Sequence, residues 1–152
     1  MAKADSLDLR FVREELGFSQ AELAALLGVS PRTVQSSEQG WRNPSAAVEK
    51  SALLLLLAKR HGAAFSAHRC WETMGCSEEE RRECLAFLTH QGHLCWLLSG
   101  NVCHGKRLTC WEEKKIACMK CRFFRELLPD GLPTRASARR PIRTEREPTE
   151  AR

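Results

Sequence analysis

Residues 19–40, SQAELAALLGVSPRTVQSSEQG, contain the pattern that most constrains the fold. Gly28 lies between two short segments, where a sharp corner between helices needs the left-handed backbone that glycine adopts without strain. Ser19 and Ser30 can each cap the helix that follows, and Pro31 suits a first helical position because it has no N–H to leave unpaired. The pattern predicts a helix, a tight turn and a second helix.

Two further helices are predicted around this unit. The first covers residues 7–16 and ends at Gly17, and the last begins at the cap Ser45 and continues to about Arg60. The leucine run 53–57 makes the last helix apolar around its whole circumference. A surface helix needs only one apolar side, so we expect a second cover, either the cysteine-rich segment or another copy of the chain.

Residues 19–40 resemble the helix-turn-helix of the lambda-repressor-like, or Xre-like, DNA-binding family. Within that family, residues 33–45, TVQSSEQGWRNPS, are most similar to certain zinc-containing antitoxins, although Ser37 stands where their pattern has tryptophan and Trp41 where it has arginine. The resemblance implies a compact DNA-binding domain in residues 1–62, with its recognition helix in residues 31–39.

Polar side chains lie on the predicted recognition helix opposite Val34. Arginine can bridge two acceptors of guanine, glutamine can pair with adenine, and hydroxyls suit phosphates or base edges. The resemblance places the amide of Gln20 against a DNA phosphate. The predicted DNA-binding residues are Gln20, Arg32, Thr33, Gln35, Ser36, Arg42 and Asn43. Glu38 is expected to form a structural pair inside the domain, with Arg42 or an amide.

The charge distribution does not by itself indicate a nucleic-acid partner. The net charge is +5, but residues 1–60 hold eight Lys and Arg against seven Asp and Glu. A nearly neutral domain has little sequence-independent affinity for DNA, so we expect a homodimer that reads a palindrome in double-stranded DNA. No apolar run approaches the roughly 20 residues of a membrane span, and a cytoplasmic location is expected.

All eight cysteines follow residue 69, which predicts a second domain, small and mostly α-helical, in residues 68–128. In a cytoplasmic chain, a metal, an iron–sulfur cluster or redox chemistry is favoured over disulfides. Cys118 and Cys121 have a spacing that lets two thiolates meet one metal, but there is no second such pair for a zinc ribbon. An iron–sulfur cluster is therefore slightly favoured over zinc. Thiol–disulfide switching and simply buried cysteines are the alternatives.

This half resembles the two-CW domain, a cysteine-rich module named for its Cys-Trp pairs. The matching residues are Cys70, Trp71, Cys76, Cys84, Cys95, Trp96, Gly100, Cys103, Cys118, Cys121 and Phe123. The seven cysteines among them are the candidate ligands of the cluster or zinc. His93 and His104 are candidate nitrogen ligands, and Cys110 lies outside the pattern. One helix is predicted from a cap at Ser77 to Leu88, and another over residues 111–128.

The proline- and arginine-rich residues 129–152 predict a disordered tail after an otherwise all-α fold. The function expected is a DNA-binding transcriptional regulator with a metal- or iron–sulfur-binding sensor half. The alternative is an antitoxin-like autoregulatory repressor whose cysteine-rich half is a structural module for a protein partner. An enzyme is not expected, because the chain has no phosphate-binding glycine loop and adjacent Cys103 and His104 do not make a nucleophile–base pair.

Overall fold

The computed structural model describes residues 5–103 and 105–138, and its first four helices form the predicted unit. These helices are α1 (Leu9–Leu16), α2 (Gln20–Leu27), α3 (Pro31–Glu38) and α4 (Ala46–His61). The three predicted serine caps are present, since Ser19, Ser30 and Ser45 accept hydrogen bonds from Glu22, Thr33 and Val48 backbone N–H groups respectively. Gly28 ends α2 with a φ of 68°, as the predicted corner requires.

Short elements make up the cysteine-rich half. They are a 3-10 helix (Gly62–Ala67), α5 (Cys70–Met74), α6 (Glu78–Glu83), α7 (Leu85–Leu88), a second 3-10 helix (Gly92–Leu94), strands β1 (Val102–Cys103) and β2 (Lys106–Arg107), α8 (Trp111–Met119), α9 (Arg122–Leu127) and α10 (Arg135–Ala138). The antiparallel β1–β2 hairpin pairs Val102 with Arg107 and Cys103 with Lys106. The fold is therefore mostly α-helical, as predicted, with one small hairpin that the sequence did not indicate.

Both helices predicted in this half are interrupted. The helix expected from Ser77 to Leu88 breaks at Cys84, whose backbone is extended, because Asn101 accepts from the Leu85 N–H and donates to the Cys84 sulfur. The helix expected over residues 111–128 breaks at Cys121, which is also extended. This second break separates α8 from α9, and each of the two helices buries its own apolar side chains in the core.

Helix α4 is covered on its second side by the chain's own cysteine-rich half. One hydrophobic cluster joins side chains from α1 and α4 to tryptophans, cysteines and phenylalanines of the second half. Its members include Leu9, Val12, Ala52, Leu53, Leu56, Leu57, Trp96, Trp111, Cys118, Phe123, Phe124 and Leu127. The two halves thus share a core, and the apolar circumference of α4 gives no separate ground for a dimer.

The segment after α9 packs against the start of the chain. Leu132 is buried, the Asp8 N–H donates to the Pro133 carbonyl at 2.7 Å, and Leu7 forms an antiparallel bridge with Thr134. The disordered tail predicted from residue 129 therefore does not include residues 129–138, whose apolar and backbone groups find partners here. Residues 139–152 lie outside the described part of the chain.

Candidate nucleic-acid interface

Helix α3 is held by a small apolar cluster under its inner side. Val34 is fully buried with Leu23 and Ala24 of α2, and Leu27 and Val29 pack against them. This packing fixes which side of α3 faces outward. Arg32 and Gln35 are exposed there, and Thr33 and Ser36 are half-buried. Arg42 and Asn43, in the loop that follows, are also exposed.

Glu38 forms a buried pair inside the domain, as expected, but its partners are Arg13 and Gln20 rather than Arg42. Its carboxylate accepts from Arg13 Nε at 2.5 Å and from Gln20 Nε2 at 2.6 Å. Burial of Glu38 acts to raise its pKa, but the hydrogen bonds from Arg13 and Gln20 outweigh this effect and lower the pKa below its usual range. The pair joins the last turn of α3 to α1 and α2, and so orients the recognition helix.

Gln20 is only partly available for the DNA phosphate contact predicted for it. Its amide nitrogen donates one hydrogen bond to Glu38. A primary amide carries two N–H groups, so one remains. The same side chain can therefore support α3 and donate to a phosphate, and that second role stays a prediction.

The two departures from the antitoxin-like pattern lie in opposite environments. Ser37 is buried, and its hydroxyl has no hydrogen-bond partner among the described residues. Trp41 is 80% exposed. The indole therefore does not fill the space under the recognition helix. It projects from the loop that also carries Arg42 and Asn43.

The C-terminal end of α3 is capped from the far end of the chain. The Arg135 guanidinium donates to the Ser37 carbonyl and, at 3.3 Å, to the Glu38 carbonyl. Gly40 has a φ of 85°, and a Cβ at this position would lie 3.0 Å from Arg135 Nη1. A cation at a helix C-terminus satisfies free carbonyls and complements the helix dipole. No local pattern identifies Arg135, because it lies 98 residues beyond Ser37.

A buried ionic network joins the DNA-binding segment to the cysteine-rich half. Glu49 of α4 accepts from the Leu7 N–H at 3.1 Å and from Trp111 Nε1 at 2.5 Å, and its carboxylate lies 3.0 Å from Lys115 Nζ. Glu49 and Lys115 are both almost completely buried. The apolar pattern of α4 gave no sign of this network, because Trp111 and Lys115 lie more than 60 residues away in sequence.

The eight cysteines are free thiols in different degrees of burial. Cys118 and Cys121 are buried, Cys110 is exposed, and the other five are half-buried. Burial raises the pKa of Cys118 to about 12. The neighbouring Cys95 thiol lowers the pKa of Cys70, and this interaction together with burial raises the pKa of Cys95. The cysteines are therefore not equivalent, and Cys70 is the one whose thiolate is favoured by its neighbour.

The thiols of the described residues do not form a ready-made set of metal ligands. Within residues 5–103 and 105–138, no three His, Cys, Asp or Glu side chains come together as a metal-binding group. The candidate ligands nevertheless lie near one another. Cys70 and Cys95 share a hydrogen bond, and charge interactions link Cys76 to Cys84 and Cys103 to Cys118 and Cys121. His104 lies outside the described part. Tetrahedral zinc and iron–sulfur clusters both need several thiolates around one centre.

Lys114 lies among these cysteines, and no sequence pattern indicated a role for it. The side chain is about 1% exposed, and Nζ donates to the Cys95 carbonyl at 2.8 Å. In the described part of the chain it forms no salt bridge with a carboxylate. Its charge acts to lower the pKa of the Cys70, Cys103 and Cys118 thiols. The lysine thus supplies positive charge to the core where the cysteines lie.

Comparison with known proteins bears on the first third of the chain. A family model described as helix-turn-helix matches residues 9–48. Residues 9–48 form an Xre-type helix-turn-helix. The match spans α1, α2, α3 and the start of α4, and it supports a DNA-binding transcription regulator. No curated protein and no solved structure matches the chain. The resemblance of the second half to the two-CW domain stays a prediction.

No helix in the described part of the chain is both long enough and apolar enough to span a membrane.

Proposed function

We propose that this protein is a sequence-specific DNA-binding transcription regulator whose cysteine-rich half controls the DNA-binding helix. The helix-turn-helix match at residues 9–48 carries the proposal. The exposed side of α3 adds to it, because Arg32 and Gln35 lie there with no side-chain hydrogen bond to another described residue. Side chains of these two types read guanine and adenine in the major groove.

The recognition helix is held at both ends before any DNA is bound. Ser30 caps its first turn, and Arg135 donates to the carbonyls of its last turn. Glu38 ties the same last turn to Arg13 of α1. A helix fixed in this way loses little conformational freedom on binding, which favours affinity. The side chains of Arg32 and Gln35 are the parts that remain free to adjust to base edges.

Control by the cysteine-rich half would act through α8. This helix carries Trp111 and Lys115, which bind Glu49 of α4, and it also carries the buried Cys118. A chemical change at Cys118 would disturb the same helix that contacts α4. Two sites coupled through one packed element can influence each other's affinity by about 1–3 kcal/mol.

A homodimer is part of the proposal. The DNA-binding segment is nearly neutral, so one copy has little non-specific attraction to the phosphate backbone. Two recognition helices about one helical turn of DNA apart would read a palindrome and add their contacts. Light scattering coupled to size-exclusion chromatography, with and without an operator duplex, measures this directly. A 1:1 complex on a palindromic operator would contradict the dimer.

The test of DNA recognition uses the full chain and an operator selected from random duplexes at fixed salt. Arg32→Ala and Gln35→Ala are each expected to weaken binding to the selected operator by about 1–3 kcal/mol. Arg82→Ala, which removes an exposed arginine of α6, is the control for loss of charge and is expected to leave binding unchanged. Equal affinities for wild type and both α3 variants would refute the assignment of α3 as the reading helix.

Iron–sulfur or zinc binding by the cysteines remains a separate proposal, supported by the cysteine content and the resemblance to the two-CW domain. Because the described residues do not already form a metal-binding group, binding would require their side chains to rearrange. Purification without oxygen, followed by iron, sulfide and zinc analysis, tests it. A stoichiometric metal content that falls when Cys118 and Cys121 are replaced by serine is expected if either centre forms. Metal-free protein with unchanged DNA binding would exclude a resident centre.

A further inference from the structure

A cleft in the cysteine-rich half is lined by none of the predicted DNA-binding residues. It has a volume of about 400 Å3 and lies among the end of the first 3-10 helix, α5, α6 and the turn after α7. Binding sites for small molecules commonly have volumes of about 300–1,000 Å3. The cleft is therefore large enough for a small ligand.

The lining of this cleft is predominantly basic. Arg69, Arg81, His68 and His90 line it, and the one carboxylate among the lining residues is that of Glu72. Glu72 pairs with Arg69 at 3.3 Å, and both side chains are more than half exposed. Arg81 forms no salt bridge within the part of the chain that the structure describes. Glu72 is thus paired with Arg69, and no described carboxylate lies within salt-bridge distance of Arg81.

Arg81 also has an unused donor. Its guanidinium lies 5.7 Å from the centre of the Phe87 ring, and its Nε is buried without a hydrogen-bond partner among the described residues. Leaving a buried donor unpaired destabilises the folded state, and buried polar groups in folded proteins are nearly always paired. Because the Arg81 side chain lines the cleft, a small rotation of its guanidinium would bring this N–H to an acceptor atom of a ligand there.

The backbone around the cleft is strained where it brings these groups together. His90, which is not glycine, has a φ of 56°, a conformation that costs free energy for a residue with a side chain. At Gly92 a Cβ would lie 2.8 Å from Arg69 Cα and 2.9 Å from the Trp71 ring. The turn that carries His90 is therefore pressed against the Arg69–Trp71 backbone. Such strain is concentrated at binding and catalytic sites.

We propose that this cleft is a binding site for a small oxyanion, a molecule that carries a phosphate or carboxylate group. Guanidinium groups bind these anions through two parallel N–H···O bonds, and Arg81 provides the free donors. The Trp71 and Phe87 rings pack edge to face at 5.0 Å and form an apolar wall beside them. The site does not depend on the DNA-binding function.

DNA phosphates have the same chemistry, but the shape of the site favours a small ligand. The basic groups line a concave cleft, whereas a duplex presents its phosphates on a convex surface that is read most readily by exposed side chains. The recognition-helix side chains Arg32 and Gln35 lie on the exposed side of α3 and do not line the cleft. A free small molecule is therefore the expected occupant.

Isothermal titration of the full-length protein with inorganic phosphate, and separately with acetate, tests the proposal at ionic strength held constant with chloride. Saturable 1:1 binding of at least one anion is expected. Arg81→Ala should weaken it at least tenfold. Arg82→Ala, the adjacent exposed arginine on the same helix, should leave it unchanged although the net charge falls equally. The stronger anion identifies the group that the site prefers.

Two further variants keep the test informative if Arg81→Ala does not fold. Arg81→Lys retains the charge and much of the packing but lacks the forked donors, and it should lose most of the affinity. His90→Gly relieves the backbone strain, so it should raise the melting temperature while weakening anion binding.

Three outcomes would overturn the proposal. The first is that neither anion binds saturably to the wild-type protein. The second is equal loss in Arg81→Ala and Arg82→Ala, which would indicate bulk charge. The third is that Arg81→Ala weakens binding of an operator duplex while the wild type binds neither anion, which would make the cleft part of the DNA interface.

Discussion

Helices α1 to α4 each begin at a side-chain cap, whereas α5, α7, α8 and α9 begin without one from their N-cap residue. The starting points of the first group are therefore determined largely by residues close in the sequence. The second group is stabilised by buried polar contacts that join distant parts of the chain, such as Lys114 to the Cys95 carbonyl and Asn101 to Cys84 and the Leu85 N–H. A helix of four to nine residues has little stability of its own. Helices α1, α2 and α3 are equally short and also use tertiary contacts, but each has a local cap in addition, whereas among helices α5 to α9 of the cysteine-rich half only α6 has one.

The two halves share one core, so they differ in how their helices are stabilised locally and do not fold independently. Glu49 is the residue at which the two kinds of segment meet, since it lies on a capped helix and binds Trp111 and Lys115 of an uncapped one. Breaking it should therefore affect both halves together. Changes inside the DNA-binding segment should have smaller effects.

The largest effect is expected from Glu49→Ala, which leaves Lys115 buried without its buried partner. Removing one member of a buried ion pair costs about 3–5 kcal/mol. Urea unfolding followed by tryptophan fluorescence and by circular dichroism should show a lower midpoint, with both signals still changing in a single transition. Glu112→Ala is the matched control, because Glu112 also pairs with Lys115 but its side chain is 49% exposed. Two separate transitions in Glu49→Ala would show that the halves fold independently.

An intermediate effect on the free energy of unfolding is expected from alanine substitutions at two glycines that follow helices of the helix-turn-helix. Gly28 and Gly40 both have positive φ, but only a Cβ at Gly40 meets a neighbour, the Arg135 guanidinium. Gly28→Ala should cost about 1–2 kcal/mol from backbone strain alone. Gly40→Ala should cost more and should also weaken operator binding, because it displaces the cap on α3.

The contribution of Arg135 to that difference can be isolated in a double-mutant cycle. In an Arg135→Ala background, Gly40→Ala should cost no more than Gly28→Ala does. Urea midpoints of the four variants measure this. If the cost of Gly40→Ala is the same with and without Arg135, the arginine does not determine the conformation at the end of α3.

The smallest effect near neutral pH concerns Glu38 and appears only on acidification. Because its pKa is lowered in the folded state, the unfolded chain binds the proton more tightly. The stabilisation from Glu38 is therefore complete above the ordinary carboxyl pKa and is lost as pH falls through the lowered value. Wild type should lose stability over this range more steeply than Glu38→Gln, as measured by urea midpoints from neutral to acidic pH. Parallel pH profiles would show that the Arg13 and Gln20 contacts do not favour the charged form.

The sequence was most informative where the interactions that form an element are close in the chain. Caps act within three residues and a glycine corner within two, so the starts of α2, α3 and α4 were predicted from Ser19, Ser30 and Ser45. The prediction that Glu38 pairs inside the domain was also confirmed, since a buried carboxylate needs a partner. Which partner it takes, Arg13 rather than Arg42, depends on how α1 lies against α3.

The rest could not be predicted because its determinants are distant contacts. Nothing near Glu49 indicates that Trp111 and Lys115 will reach it, and nothing near Cys84 indicates that Asn101 will end one helix and begin another there. The cleft is a similar case, since Arg69, Arg81 and His90 come together only after three short elements have packed. In this half, the cysteine pattern predicted a module but not where its side chains lie.

The contact of Arg135 with the Ser37 carbonyl also sets an order of events during synthesis. Ribosomes add about 5–20 residues per second, so the 98 residues that separate the two positions take roughly 5–20 s to make. During that interval the recognition helix can form its first turns, but its C-terminal carbonyls lack their arginine. The nascent chain therefore completes α3 only after the whole cysteine-rich half has been translated. A ribosome that stalls inside the second half would leave a protein whose α3 end is uncapped.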